Sequence, residues 1–288
     1  LITVQSTTSL DYETTTQYAL TVLGTDGATG ADQRTATVTV YVDVDPANEH
    51  DPVFTSPSSS PFAVTIAESA ALGSQLYTVV ATDQDSGTDG QIKFSITSGD
   101  LGKFNIDETT GVVYVADTLD KETLDTYSLA IRATDQGSTA RTADVTLAVT
   151  VSDVNDNGPV CSPDVYTSTL AEDTSAGTLV AWVLCTDADI DATNNALTFS
   201  ITAGNTEGKF EVNTAGIVTV ATGQTLDYET TTSYLLDVSV SDVSGVAVTA
   251  EVAVVVTGVN EFPPAFTATT YSATVVENQS TGTLVTSV

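Results

Sequence analysis

The sequence predicts an all-β chain of tandem Greek-key β-sandwiches, seven strands each, set end to end in a linear rod, and three observations carry this. Short runs rich in Val, Ile, Thr and Tyr alternate apolar with polar residues, as in Phe62-Ala63-Val64-Thr65-Ile66 and Tyr127-Ser128-Leu129-Ala130-Ile131, which is the period of a half-buried strand. Gly, Asp, Asn and Pro break these runs, and no long helical period competes with them. The chain also repeats itself at the length of one small domain.

The repeat is fixed by markers in constant order. Leu10-Asp11-Tyr12-Glu13, Leu119-Asp120-Lys121-Glu122 and Leu226-Asp227-Tyr228-Glu229 place their Asp residues 109 and 107 apart. Glu68, Glu172 and Glu277 are 104 and 105 apart, Pro52, Pro159 and Pro264 are 107 and 105 apart, and Asp26, Asp135 and Asp242 are 109 and 107 apart. The expected division is the latter part of one repeat at 1–51, complete repeats at 52–158 and 159–263, and the opening of a further repeat at 264–288. The chain reads as cut from a longer array.

Within 52–158, Ile92-Lys93-Phe94-Ser95-Ile96 and Val145-Thr146-Leu147-Ala148-Val149 supply further strands of the same period. About seven such strands in about 100 residues suit a Greek-key sandwich whose loops gather at its two ends.

A formal charge of -31, from 38 acidic against 7 basic residues, repels a phosphate backbone and excludes nucleic acid as partner. The 41% apolar content is enough for packed cores and argues against an acidic disordered tail. No apolar run of membrane-spanning length occurs, and the N-terminus lacks a targeting pattern.

The acids collect where the repeats meet. Asp153-Val154-Asn155-Asp156-Asn157-Gly158-Pro159 links the two complete copies, with degenerate counterparts at Asn48-Glu49-His50-Asp51-Pro52 and Asn260-Glu261-Phe262-Pro263-Pro264. Around the central linker the expected set is Glu68, Asp120, Glu122, Asp153, Asn155, Asp156 and Asn157, with Asp187, Asp189 and Asp242. So many carboxylates at one place repel one another by roughly 1 kcal/mol per pair at 4 Å in water and more where water is scarce. Lys and Arg are too few to neutralise them, so divalent cations are expected, and oxygen-only ligation selects Ca2+.

These pieces together resemble the tandem repeats of the cadherin family: an xEx glutamate (Glu68, Glu172, Glu277), an LDxE pair, a DxD pair (Asp83 and Asp85, Asp187 and Asp189), an xDx aspartate (Asp26, Asp135, Asp242) and a DxNDN linker. The resemblance covers the whole chain and implies cadherin-like sandwiches of immunoglobulin-like architecture, with calcium ions in each complete joint, three by the family's pattern, stiffening the rod. It implies further ligands at Asp11, Glu13, Asp45, Asn48, Glu49, Asp83, Asp85 and Asp135 in the first joint, and at Glu172, Asp227, Glu229, Asn260 and Glu261 in the third.

The match is uneven. In the first joint Pro46 takes the leading Asp position and Glu49 and His50 replace Asp and Asn; His50 would offer its backbone carbonyl, with a solvated side chain. In the third, Gly258, Glu261 and Phe262 replace Asp, Asp and Asn, which implies weaker or fewer ions. Removing calcium is expected to leave each sandwich folded while the central joint bends.

Enzymatic readings fare poorly. A glycosidase's paired carboxylates would occur once in one cleft rather than in every repeat, and the only histidine, His50, has no Ser or Cys motif beside it. Cys161 and Cys185 fall at strand ends that antiparallel pairing brings together; the expectation is a disulfide, the alternative two buried thiols. Trp182 should face outward as a candidate contact site, or simply as a surface aromatic. Asn278-Gln279-Ser280 is an N-glycosylation sequon, and the Thr-rich faces offer possible O-glycan sites.

Two functions fit. One is an extracellular, calcium-dependent adhesion or recognition protein, at the cell surface or secreted, whose partners are other cadherin-like chains, the same or different. The other is a structural fibre or surface-coat glycoprotein that self-assembles into filaments from the same repeats.

Overall fold

The computed structural model describes residues 1–5 and 9–288, and among them the only regular element that is not a strand is a 3-10 turn at Gly30–Asp32. The chain divides into two units, Leu1–Asp156 with Asp189–Ala192, and Asn157–Ala188 with Thr193–Val288.

In the first unit an antiparallel hairpin, β1 (Gln17–Thr25) and β2 (Thr35–Asp43), precedes a sandwich. The sandwich contains β3 (Val53–Ser56), β4 (Phe62–Ala67), β5 (Gln75–Thr78), β6 (Val80–Thr82), β7 (Ile92–Ser98), β8 (Phe104–Ile106), β9 (Val112–Val115), β10 (Thr126–Asp135) and β11 (Thr142–Ser152). One sheet has the order β4-β11-β10-β7; β5-β9-β8 and the pair β3-β6 form the other face. These nine segments are seven strands, the first and second each broken once. Pro57 and Pro61 lie in the first break, where a missing N–H would spoil a ladder. The break lets β3 pair with β6 while β4 runs parallel to β11, Phe62 opposite Leu147.

The second unit repeats this plan with β12 (Val160–Cys161), β13 (Val165–Ala171), β14 (Leu179–Trp182), β15 (Cys185–Thr186), β16 (Thr198–Ala203), β17 (Phe210–Val212), β18 (Ile217–Val220), β19 (Ser233–Ser241) and β20 (Ala247–Thr257). Its sheets run β13-β20-β19-β16, β14-β18-β17 and β12-β15. Cys161 sits opposite Cys185 in the β12-β15 pair, and a disulfide joins them.

Alternation decides which side chains are buried. In β10 Tyr127, Leu129, Ile131 and Ala133 turn inward, and in β11 Val145, Leu147, Val149 and Val151. They meet Phe94, Phe104, Val113 and Val115 in one core. The second unit has the same core at shifted numbers, down to an edge-on aromatic pair: Phe104 with Tyr127 at 5.1 Å, and Phe210 with Tyr234 at 5.0 Å. Burying each such aliphatic side chain contributes roughly 1.5–3 kcal/mol.

Gly99 and Gly204 follow the strands β7 and β16, with φ of 89° and 80°. A Cβ there would lie 1.9 Å from the Ser128 carbonyl oxygen and 1.7 Å from that of Leu235, so the neighbouring strand can approach only because the side chain is absent. Gly204→Ala should lower the stability of its unit by at least about 1–3 kcal/mol, from the backbone conformation alone. A urea midpoint unchanged by the substitution would refute this.

Residues 264–288 contain no strand. The corresponding strands β4 and β13 are held by partners about 85 residues downstream, Phe62 by Leu147 and Val165 by Glu251, so this segment has no such partner within the 288 residues. Trp182 is 55% exposed, as its place on the outward face of β14 predicts, and its indole N–H donates to the Ala215 carbonyl at 3.0 Å. Asn278 is exposed.

Candidate metal centres

Six charged or polar residues are buried among the described residues, and each is a carboxylate at a recurring position: Glu68, Asp85, Asp135, Glu172, Asp189 and Asp242. Burying a charge is costly unless it is hydrogen-bonded or neutralised. The local folding explains how these are held.

The xEx glutamate of each complete repeat ties two loops together. Glu68 follows β4 and accepts the Lys121 N–H on one oxygen and the Val154 N–H on the other, both at 2.6 Å. Glu172 does the same after β13, accepting Tyr228 N–H at 2.8 Å and Val259 N–H. Those two backbone bonds hold the Glu172 carboxyl below its usual range. The xEx glutamate thereby clamps the LDxE turn against the linker that follows its repeat.

The LDxE turn is built by its own aspartate. Asp11, Asp120 and Asp227 each accept the N–H and hydroxyl of the threonine three residues on, Thr14, Thr123 and Thr230, at 2.8 to 3.0 Å. Such an Asx turn satisfies the loop's donors locally, and these bonds lower the carboxyl pKa of Asp11 and Asp120. The Glu two residues on is then presented to the linker.

Three groups of ligating atoms result, each with all atoms within 4.8 Å of one another: Glu13, Glu49, His50 and Asp85; Glu68, Glu122 and Asp153; and Glu172, Asp227 and Glu229. In the second, burial pushes the Glu122 carboxyl up to about 7, with Asp153 and Glu68 adding to the effect. Desolvation and the charges of Glu68, Asp189, Asp120 and Asp153 likewise raise Asp156. In the third, desolvation and the carboxylates of Glu172, Glu229 and Asp227 raise Glu261. Desolvation is the larger cause of each rise and neighbouring carboxylates the smaller, and a bound cation would oppose both.

The first linker is held by carboxylates of the repeat that follows it. Asp85 accepts the Glu49 and His50 N–H groups at 3.4 and 3.0 Å, and Asp83 accepts the Asp85 N–H at 2.9 Å. Glu13 accepts the Ser86 N–H at 3.1 Å. Asp135 accepts Gly137 N–H, Arg141 N–H and the Asn48 amide. Asp45 is exposed and stands in none of the three groups.

The His50 side chain differs from the solvated one expected. It is half-buried, and a ring nitrogen joins the first group. Its linker position, brought against Asp85 by the backbone bonds, is what turns it inward. Asp153 accepts the Ile190 and Asp191 N–H groups at 3.3 and 3.1 Å.

The donors suit a hard cation. Four carboxylate or amide oxygens on predicted ligands, Glu13 Oε2, Asn48 Oδ1, Asp83 Oδ2 and Glu122 Oε1, are buried without a hydrogen-bond partner. Orphaned buried oxygens of this kind call for an ion or water, and the second and third groups are all oxygen, the donor type calcium takes.

The cadherin domain profile matches residues 62–152 and 166–257. The protocadherin-like wing polarity protein stan of Drosophila melanogaster is 35% identical over 280 residues, 96% of this chain but 8% of that protein. The chain thus spans less than a tenth of the length of such curated relatives. The crystal structure of mouse cadherin-23 EC22-24 superposes with a TM-score of 0.77 at 30% identity, covering 88% of this chain and 78% of the other. The cis-dimer structure of protocadherin gammaB7 EC3-6 follows at 0.68 and 27%, covering 86% and 60%. With nearly the whole chain aligned and two complete domains matched, the chain belongs to the cadherin family.

Proposed function

We propose that this chain is a segment of an extracellular, calcium-dependent adhesion or recognition protein, in which Ca2+ is a structural cofactor and no reaction is catalysed. The observation that carries this reading is that every buried charged residue among those described is a carboxylate at a recurring position in a loop or at a strand end. Backbone N–H groups satisfy part of these buried acids, and where bases are few the charge that remains calls for a cation.

The residues that would hold calcium in the first linker are Asp11, Glu13, Asn48, Glu49, Asp83, Asp85 and Asp135, with Asp45 the weakest candidate. At the start of the central linker they are Glu68, Asp120, Glu122, Asp153, Asn155, Asp156 and Asp189, and after the third repeat Glu172, Asp227, Glu229, Asn260 and Glu261. Bound calcium would supply positive charge that cancels the carboxylate repulsion and fixes the loops. The chain itself supplies the clamp, since Glu68 and Glu172 already fasten turn to linker through backbone N–H groups.

Extracellular modules bind calcium at about 0.1–1 mM, so these sites would fill outside the cell and empty in the cytosol. Isothermal calorimetry should show saturable binding in that range, weakened at least about tenfold on Glu68→Gln for one class of sites. Absence of saturable binding up to about 10 mM calcium would overturn the reading.

The partner class is another cadherin-like chain, the same or different. Support comes from the relative solved as a cis dimer.

A further inference from the structure

We infer that the turn 136–141 of the second repeat is a built receptor for the first linker, which Arg141 latches in place without any metal. The guanidinium reaches back across the linker: Nε donates to the Asn48 carbonyl at 3.1 Å and Nη1 to the Asp51 carboxylate at 2.8 Å. With one bond to backbone and one to a carboxylate, this planar fork fixes both position and direction of the segment it holds.

Gly137 is the second half of the device. A Cβ at this residue would lie 2.1 Å from the Asn48 amide nitrogen, so the turn has left room for that side chain. Asn48 fills it, donating to both Asp135 oxygens at 3.2 and 3.1 Å and to the Thr139 carbonyl at 2.9 Å.

The turn of the third repeat is built from different residues. There Ser244 stands two residues after Asp242, as Gly137 does after Asp135, and its own hydroxyl donates to Asp242 at 2.8 and 3.1 Å. Val246 donates its N–H to Asp242 at 3.0 Å as Arg141 does to Asp135, but a valine has no donor to reach a linker with. Where the third repeat has a serine hydroxyl on its aspartate, the second has a glycine that admits the Asn48 amide, and Arg141 adds two bonds to the linker.

The consequence is a linker fastened at residues 48 to 51 whether or not calcium is present. This goes beyond the calcium reading: it shares Asn48 and Asp135 with it but needs no ion. It also puts one of only seven basic side chains beside an acidic linker, where it offsets charge that would otherwise fall wholly to a cation.

Hydrogen exchange of the full 288-residue chain in EGTA tests the latch. The amides of Asn48, Glu49, His50 and Asp51 should exchange at least about tenfold more slowly in the unaltered chain than in Arg141→Gln or Gly137→Ser, while β10 and β11 amides stay as protected as before. Equal linker exchange in the unaltered chain and both variants would overturn the proposal. Should Arg141→Gln also loosen β10 and β11, Gly137→Ser decides by the same readout, because the third repeat folds with serine at that place.

Discussion

Glu68→Ala is expected to lower the stability of the second repeat by about 1–5 kcal/mol in EGTA and to remove calcium binding at the Glu68, Glu122 and Asp153 group. Two opposed effects set the size. Each Glu68 oxygen satisfies one backbone N–H, of Lys121 and of Val154, and a buried donor left without a partner costs about 1–3 kcal/mol. Against this, deleting the charge relieves Glu122, whose carboxyl is pushed up to about 7 by burial, Asp153 and Glu68. That relief is on the order of 1 kcal/mol for a screened pair, so the lost hydrogen bonds win. Glu68→Gln separates the two roles: it keeps one acceptor, should cost less stability than alanine, and should lose calcium affinity at least about tenfold all the same. Urea titration and calorimetry on both variants read these effects; a Glu68→Ala urea midpoint equal to that of the unaltered chain would show that Glu68 clamps nothing.

What was legible in the sequence was whatever recurs. Strands such as β10 and β11 announce themselves through period-two alternation, and the six buried carboxylates stand at positions that the self-comparison marks in more than one repeat. Features that occur once were legible only where a predicted strand pairing placed them, as with Cys161 and Cys185. The His50 ring enters its group because linker backbone bonds to Asp85 turn it there, and no spacing rule reports that. Arg141 and Gly137 acquire their meaning from a turn that brings residue 141 to residue 48, a separation of 93 along the chain. The Asx turns lie between these cases: Asp11 and Thr14, Asp120 and Thr123, and Asp227 and Thr230 recur at fixed spacing, so the signal was present, but the eye for ligands reads the carboxylate and passes over the threonine that holds it. Strand potential at 264–288 is local, whereas strand formation needs a partner far along the chain.

Leu129→Ala and Leu236→Ala should each cost about 2–5 kcal/mol. Both leucines are fully buried at the middle of their sheets, Leu129 opposite Leu147 and Leu236 opposite Val252. Neither neighbourhood is able to collapse into the space without moving a central ladder. For a unit of about 100 residues such a loss lowers the unfolding temperature by about 10–25 °C. Calcium should recover part of it, because an ion that binds only the folded state stabilises by about 0.4–1.4 kcal/mol at about 1 mM free calcium and dissociation constants of about 0.1–1 mM. One ion cannot offset the truncation, and several nearly can. The recovery is therefore a count of sites. The unit of Leu129 carries the Glu68, Glu122 and Asp153 group as well as the Glu13, Glu49, His50 and Asp85 group, whereas that of Leu236 carries Glu172, Asp227 and Glu229 beside a linker with Gly258 and Phe262. Calcium should accordingly raise the unfolding temperature of Leu129→Ala more than that of Leu236→Ala. Equal recovery in calorimetric scans would mean that the degenerate third linker binds as well as the others, and that ligand count along this chain does not set calcium affinity.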